Sequence, residues 1–188
     1  EIEFPDYSYF KGIYLFPVEF IENEIFRLIK FTGNFKMDNL KIVSDDAFLN
    51  SVFNGEFNCP NLQTVGRGAF YDSQFNGVFE CPNLQAVGIY AFYYSQFDGE
   101  FNCPNLQTVG DNAFFNSVFD GEFNCPNLTS VGYQAFRYSL FTGEFNCPNL
   151  QTVGNSAFAN SNFTQITIGA NATLGTGCIG AHSTEFIN

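Results

Sequence analysis

The string EFNCPNLQTVG occurs three times without change, at residues 56–66, 100–110 and 144–154. Five cysteines in the same frame are evenly spaced and occupy every twenty-second position. These are Cys59, Cys81, Cys103, Cys125 and Cys147. A globular enzyme needs different side chains in each part of its core, whereas a fixed period of about 20 to 29 residues is typical of stacked solenoids. The chain of 188 residues is therefore predicted to be a leucine-rich-repeat-like solenoid with one turn for each interval between these cysteines.

Phenylalanine occurs 26 times, and the period explains most of these residues by position. They form three files whose members are separated by the same interval as the cysteines. The files contain Phe53, Phe75, Phe97, Phe119 and Phe141; Phe57, Phe79, Phe101, Phe123 and Phe145; and Phe48, Phe70, Phe92, Phe114, Phe136 and Phe158. Because one turn cannot enclose these rings alone, each is predicted to be buried against neighbouring turns.

Inside each turn, the pattern FxGxFxC alternates with a period of two. It predicts one short β-strand per turn in which Phe53, Phe57 and Cys59 face inward and Glu56 faces outward. The following proline cannot donate to a ladder and ends the strand. The remainder of the turn is predicted to return as 3₁₀ or short extended segments, with positive φ expected at the bend marked by Gly66 and its equivalents. The fold is thus expected to be mainly β.

The motif VGxxAFxxS, with a strand that ends at proline before the next apolar pair, resembles the BspA-like leucine-rich repeats of bacterial and protozoan surface proteins. The resemblance covers residues 35 to 163, and the tail ITIGANATLGTGCIG is similar to the irregular last turns of that family. Departures are Phe in place of most Leu and Ile, and Ser51 and its equivalents where the family often has Cys. The resemblance implies an extracellular, cell-surface protein whose repeats bind other proteins, as in adhesion.

One domain is expected over residues 1–188, because no change of composition or linker divides the chain. Residues 1–34 are predicted to be a degenerate first repeat that keeps the frame, with Leu15 at the cysteine position. Residues 35–166 are the regular repeats, and residues 167–188 are predicted to close the other end, since solenoids need irregular end units to cover their open edges.

The charge of the chain restricts its partners. Seven basic and nineteen acidic residues give a formal net charge of −12, which opposes the counterion release that drives nucleic-acid binding and also opposes docking on anionic lipid. No run of about twenty apolar residues is present for membrane insertion. We therefore expect a protein partner, and we expect neither nucleic-acid binding nor membrane insertion.

Catalysis needs unlike groups that converge, whereas the repeated groups of this chain are identical along the axis. Cys178 lies outside the cysteine file, where it could be exposed, and His182 follows four residues later, but no third group orients this pair. The in-file cysteines are predicted to be buried free thiols, because no CxxC pair exists for zinc and side chains from one sheet face do not converge for a disulfide. No enzyme activity, cofactor or metal is predicted.

Two polar files are also complete in every central turn, and both are predicted to hydrogen-bond turn backbone. They contain Asn39, Asn61, Asn83, Asn105, Asn127 and Asn149, and Ser51, Ser73, Ser95, Ser117, Ser139 and Ser161.

Two surfaces are candidate partner-binding sites. The positions after each AF vary between turns, and they gather aromatic residues along one outer edge. These are Tyr71, Tyr93, Tyr94, Phe115 and Tyr138. Tyrosine is common in interfaces, although partial burial against the next turn would explain these residues equally well.

The second surface is an acidic stripe on the strand face, formed by Glu56, Glu100, Glu122 and Glu144. Carboxylates about 5 Å apart repel one another by roughly 1 kcal/mol in water, so they should splay into solvent, meet a cationic partner or bind calcium. The predicted function is non-enzymatic protein recognition at a cell surface, with host or neighbouring-cell proteins as partners. The alternatives are spacer repeats that present another domain, or calcium-dependent binding through the acidic stripe.

Overall fold

The computed structural model describes residues 9–11, 18–97, 99–119, 121–179 and 185–187. Within these residues the chain forms a parallel β-solenoid of about seven turns without any helix, so the predicted repeat solenoid is confirmed. None of the described residues therefore belongs to a helix long and apolar enough to cross a bilayer. Leu15 and His182 lie outside the described residues, and the division into end units and regular repeats stays a prediction.

The strands are short, and equivalent strands of successive turns pair in parallel register to form four sheets. Sheet 1 contains Tyr9–Lys11, Lys30–Thr32, Val52–Phe53, Gln74–Phe75, Gln96–Phe97, Val118–Phe119 and Leu140–Phe141. Sheet 2 contains Phe35–Lys36, Phe57–Asn58, Phe79–Glu80 and Phe101–Asn102, and sheet 3 continues the same face with Phe123–Asn124, Glu144–Cys147, Gln165–Ile168 and Glu185–Ile187. Sheet 4 contains Phe20–Ile21, Ile42–Val43, Thr64–Val65, Ala86–Val87, Thr108–Val109, Ser130–Val131, Thr152–Val153 and Thr173–Leu174.

A regular turn therefore has three strands, and the expectation of one strand per turn is wrong. The predicted alternation itself is present, because Phe53, Phe57 and Cys59 are buried and Glu56 is exposed. The chain nevertheless bends at Gly55, where a Cβ atom would lie 2.6 Å from the carbonyl carbon of Gly33 on the preceding turn. This close approach divides the segment between two sheets, and the returning side adds a third strand.

The bend after sheet 4 also differs from the prediction. Gly66 and its equivalents do not have positive φ, whereas two later residues of each regular turn do, such as Tyr90 and Tyr94 with φ of 58° each. Glycine is needed in the Gly66 file because the turns approach closely there: a Cβ atom on Gly88 would lie 2.7 Å from the carbonyl carbon of Gly66. The glycine file thus sets the spacing of turns, and the left-handed residues form the corner.

The largest side chains of the core form the three phenylalanine files, each stacked ring on ring. The ring of Phe114 is parallel to those of Phe92 and Phe136, with centroids 5.1 Å away on each side. Rings of different files meet edge to face, as Phe114 does with Phe101 at 5.2 Å. Stacked and edge-to-face pairs are both favourable aromatic geometries, so the repeat gives each ring favourable contacts within its own turn and with both neighbours.

Both polar files bond the backbone, as predicted. The buried Ser51 hydroxyl donates to the carbonyl oxygen of Phe26 at 2.6 Å, and the Asn83 amide donates to the carbonyl oxygen of Pro60 on the preceding turn at 2.9 Å. Equivalent bonds recur along the solenoid, for example from Asn105. The files therefore satisfy carbonyl groups that the corners leave without a ladder partner.

All five in-file cysteines are buried free thiols. Burial raises the pKa of the Cys103 thiol well above its usual value, so these residues behave as small apolar side chains. The expectation that Cys178 could be exposed is wrong: it is 6% exposed. Its carbonyl oxygen accepts a 2.7 Å hydrogen bond from the Phe158 amide, which holds its segment against the preceding turn.

Candidate functional site

The corner that follows sheet 4 places aromatic side chains on one edge of the solenoid. In a representative turn, Tyr90 and Tyr94 adopt left-handed backbone conformations on either side of Ala91–Tyr93. Ala91 and Phe92 are buried, whereas Tyr93 is partly exposed and Tyr94 is exposed. The same corner recurs in each regular turn, so equivalent residues align along the solenoid axis. We call the row formed by the aromatic residues at these corners the aromatic strip. The strip contains Tyr71, Tyr90, Tyr93, Tyr94, Phe115 and Tyr138.

The structure brings the five predicted aromatic residues together. The Tyr93 ring stacks between the rings of Tyr71 and Phe115, with centroid distances of 5.0 Å to each. Tyr94 packs edge-on against Tyr93 at 4.6 Å, and Tyr138 does so against Phe115 at 5.5 Å. One continuous aromatic surface results.

Partial burial, one of the two sequence-based explanations of these residues, holds for some members of the strip and not for others. Tyr71, Tyr93 and Phe115 are partly buried against one another. Tyr94 and Tyr138, in the next file, are 43% and 38% exposed. The first three residues therefore form a base, and the other two are available for contact.

Desolvation also changes the acidity of two of the stacked residues, Tyr71 and Tyr93. Partial burial raises the pKa of Tyr71, with a further rise from the nearby Asp72 charge, and partial burial raises the pKa of Tyr93 in the same direction. Both phenols are neutral at physiological pH, as tyrosine ordinarily is, and can donate and accept hydrogen bonds.

A cation already lies on the strip. The guanidinium carbon of Arg137 is 4.8 Å from the ring centroid of Tyr138, and Nη2 of Arg137 donates to the Tyr138 hydroxyl oxygen at 3.1 Å. This geometry is that of a cation–π contact. The strip is thus compatible with guanidinium groups.

The aromatic strip also coincides with the part of the repeat that varies most. The position after each AF holds a different type of side chain in most turns, whereas the phenylalanine, cysteine, asparagine and serine files are constant. The residues at that position are Leu49, Tyr71, Tyr93, Phe115, Arg137 and Ala159. A constant scaffold with one varied edge is the arrangement by which repeat proteins form binding surfaces.

Sequence reasoning missed a notch in this edge. At the first left-handed position of the corner, neighbouring turns carry Asp46 and Tyr90, but the intervening turn carries Gly68. The absent side chain leaves an open pocket of about 400 Å³. Its lining residues are Asp46, Leu49, Arg67, Gly68, Tyr71, Tyr90 and Tyr93. The available signal was a glycine in a file that carries a side chain in both neighbouring turns.

The acidic stripe is exposed but is not assembled into a metal site. Glu56, Glu100, Glu122 and Glu144 are all exposed, and Glu56 accepts a 3.3 Å hydrogen bond from the Asn34 amide. In the part of the chain that the structure describes, no three His, Cys, Asp or Glu side chains are grouped so that they could hold a metal ion. The carboxylates therefore point into solvent, where their mutual repulsion is weak.

Calcium is accordingly expected to leave the stability of the protein unchanged. A site with a dissociation constant ten times below the calcium concentration would stabilise the fold by about 1.4 kcal/mol, which corresponds to a shift in Tm of a few degrees. We expect no such shift at about 1 mM calcium, the range used by extracellular calcium modules. Thermal unfolding followed by circular dichroism, with magnesium at equal ionic strength as control, measures this. A rise in Tm that requires Glu100 and Glu122 would contradict it.

Comparison with known families agrees with this geometry. The sequence model of the BspA type leucine rich repeat region matches the chain in six copies, over residues 19–142 and 63–183. No curated protein and no solved structure matches the chain. The fold and the matched repeats define a leucine-rich-repeat solenoid, a class whose members generally act as non-enzymatic scaffolds that mediate protein interactions. Within that class, the chain belongs to the BspA type leucine-rich-repeat family, which is typical of surface-associated bacterial proteins.

Proposed function

We propose that this protein is a non-enzymatic recognition module of a cell-surface protein, and that it binds host or neighbouring-cell proteins through the aromatic strip. The observation that carries the proposal is that aromatic side chains, including the exposed Tyr94 and Tyr138, gather at the corner where the sequence varies between turns of an otherwise constant scaffold. An extracellular location is supported by the surface-associated proteins in which this repeat family is typical.

The physical properties of the strip favour binding. Tyr71, Tyr93 and Phe115 hold one another in stacked positions, so little side-chain freedom remains to be lost when a partner binds. Tyr94 and Tyr138 project from this base and combine a large apolar ring with a polar hydroxyl, the combination that is enriched in protein interfaces.

The double variant Tyr94→Asn/Tyr138→Asn is expected to weaken partner binding at least about tenfold, because each exposed tyrosine supplies contact area of the kind that dominates binding hot spots. Asparagine is the natural residue at this position in other turns, as Asn50 and Asn116 show, and it tolerates the left-handed conformation found there. The Tm of the variant should therefore be unchanged. Binding is measured by biolayer interferometry against immobilised extracellular matrix proteins and by flow cytometry on intact cells.

The matched control is the double variant Glu100→Gln/Glu122→Gln, which changes two exposed side chains of the acidic stripe without altering their size. It is expected to bind like the unaltered protein. Loss of binding in this control but not in the tyrosine variant would transfer recognition to the acidic stripe. Absence of any binding by the unaltered chain would favour spacer repeats that present another domain.

A further inference from the structure

The notch at Gly68 has a carboxylate on one side and an aromatic ring on the other. Gly68 has a φ of 58°, and its neighbours in the same file are Asp46 on the preceding turn and Tyr90 on the following turn. A Cβ atom on Gly68 would collide with Oδ1 of Asp46, so this carboxylate leans over the glycine into the notch. No other described residue forms a hydrogen bond or ion pair with it.

The Tyr90 ring forms the opposite side. It packs edge to face against Tyr93, with centroids 5.3 Å apart. Because Gly68 has no side chain, the Tyr90 ring has no neighbour in its file on the preceding turn and lines the open pocket instead. The notch thus presents a carboxylate and an aromatic ring, two groups that both attract cations.

The surroundings of the notch reinforce this preference. Residues 42–136 contain ten acidic residues and one basic residue, Arg67. Such an excess of one charge raises the local concentration of groups of the opposite sign. Farther along the same edge, the contact of Arg137 with Tyr138 is an internal example of a guanidinium group on a tyrosine of the strip.

We propose that the notch at Gly68 receives a lysine or arginine side chain of the protein partner, held between the Asp46 carboxylate and the Tyr90 ring. The pocket volume of about 400 Å³ accommodates one long side chain. The inference rests on the proposed function, because the partner is the protein that the aromatic strip binds. Arg67, exposed at the rim, opposes the incoming charge and so limits affinity.

The test uses two small probes with the full chain: N-acetyl-arginine amide and its neutral isostere, N-acetyl-citrulline amide. Each is titrated against the ¹⁵N-labelled protein, and chemical shifts of the Gly68 and Tyr90 amides are followed. We expect the arginine probe to bind at least about fivefold more tightly than the citrulline probe, the factor expected for a cation between a carboxylate and an aromatic ring.

Three variants make the test specific. Asp46→Asn keeps the shape of the side chain and tolerates its φ of 54°, and it should weaken arginine binding about fivefold. Arg67→Gln should strengthen it about twofold, because the opposing charge is lost. The matched control Asp111→Asn removes the same charge from an exposed position outside the notch, and it should bind like the unaltered protein.

Equal binding of the two probes would overturn the proposal, because the notch would then have no preference for a cation. Equal losses of affinity in Asp46→Asn and Asp111→Asn would also overturn it, because the net negative charge of the protein would then explain the binding. Weaker arginine binding in Arg67→Gln would also overturn it. The variant Tyr94→Asn/Tyr138→Asn should leave the arginine titration unchanged. Failure of the notch therefore remains distinguishable from failure of the strip as a protein-binding surface.

Discussion

Replacing Phe114 by alanine is expected to lower the free energy of unfolding by about 3–5 kcal/mol, whereas the same change at the adjacent Phe115 should cost about 1 kcal/mol. Phe114 is completely buried, and its ring stacks between those of Phe92 and Phe136. Alanine would leave a cavity at the centre of a file, which neighbours held by their own stacking cannot fill. Phe115 is partly exposed and stacks on Tyr93 at 5.0 Å.

The pair is a sensitive test because the two variants have the same composition and differ by one position in the chain. Urea unfolding monitored by circular dichroism gives both free energies. Equal losses at the two positions would mean that the assignment of inward and outward sides of the corner is wrong. A small loss of unfolding free energy in Phe114→Ala would mean that the phenylalanine files are not the core.

The second large effect is expected for Gly88→Ala, which should destabilise the protein by about 3 kcal/mol or more. The added Cβ atom would lie 2.7 Å from the carbonyl carbon and 2.8 Å from the carbonyl oxygen of Gly66. These are backbone atoms of the preceding turn and cannot rotate away as a side chain would. The turns would have to separate and weaken the 2.8 Å hydrogen bond from the Gly88 amide to the Val65 carbonyl oxygen.

Gly177→Ala is the matched control for this substitution. Gly177 has a φ of 61°, and the nearest atom to an added Cβ is 3.8 Å away. Only the strain of a left-handed alanine applies there, about 1 kcal/mol. The two free energies are again measured by urea unfolding. Similar losses in both variants would show that close approach of the turns is not the reason for glycine at position 88.

The core could be predicted from the sequence because the assignment of buried residues depends on the period alone. The residues equivalent to Phe101 and Phe114 are buried in each regular turn. Membership of a file is therefore enough to predict that a residue is buried. The strand count could not be predicted in this way. It depends on where successive turns touch, and the bend at Gly55 arises from contact with Gly33 on the preceding turn. Left-handed backbone at tyrosines such as Tyr90 likewise follows from the shape of the corner.

The sequence predicted which edge of the solenoid carries the candidate site, but not which side chains of that edge are exposed. Alignment by the period placed Tyr71, Tyr93 and Phe115 in one file and Tyr94 and Tyr138 in the next. The backbone between the two left-handed residues of the corner decides which file has stacked rings and which file has side chains that project into solvent. The notch could not be predicted either, because a glycine in the file indicates a pocket only when the residues around it are known.

Recognition through the aromatic strip can be tested by hydrogen–deuterium exchange of the protein with and without a bound matrix protein. We expect binding to slow exchange in peptides that cover residues 67–72, 89–94 and 111–116, and to leave peptides over residues 100–103 and 122–125 unchanged. Slower exchange confined to the latter peptides, which carry the acidic stripe, would contradict it.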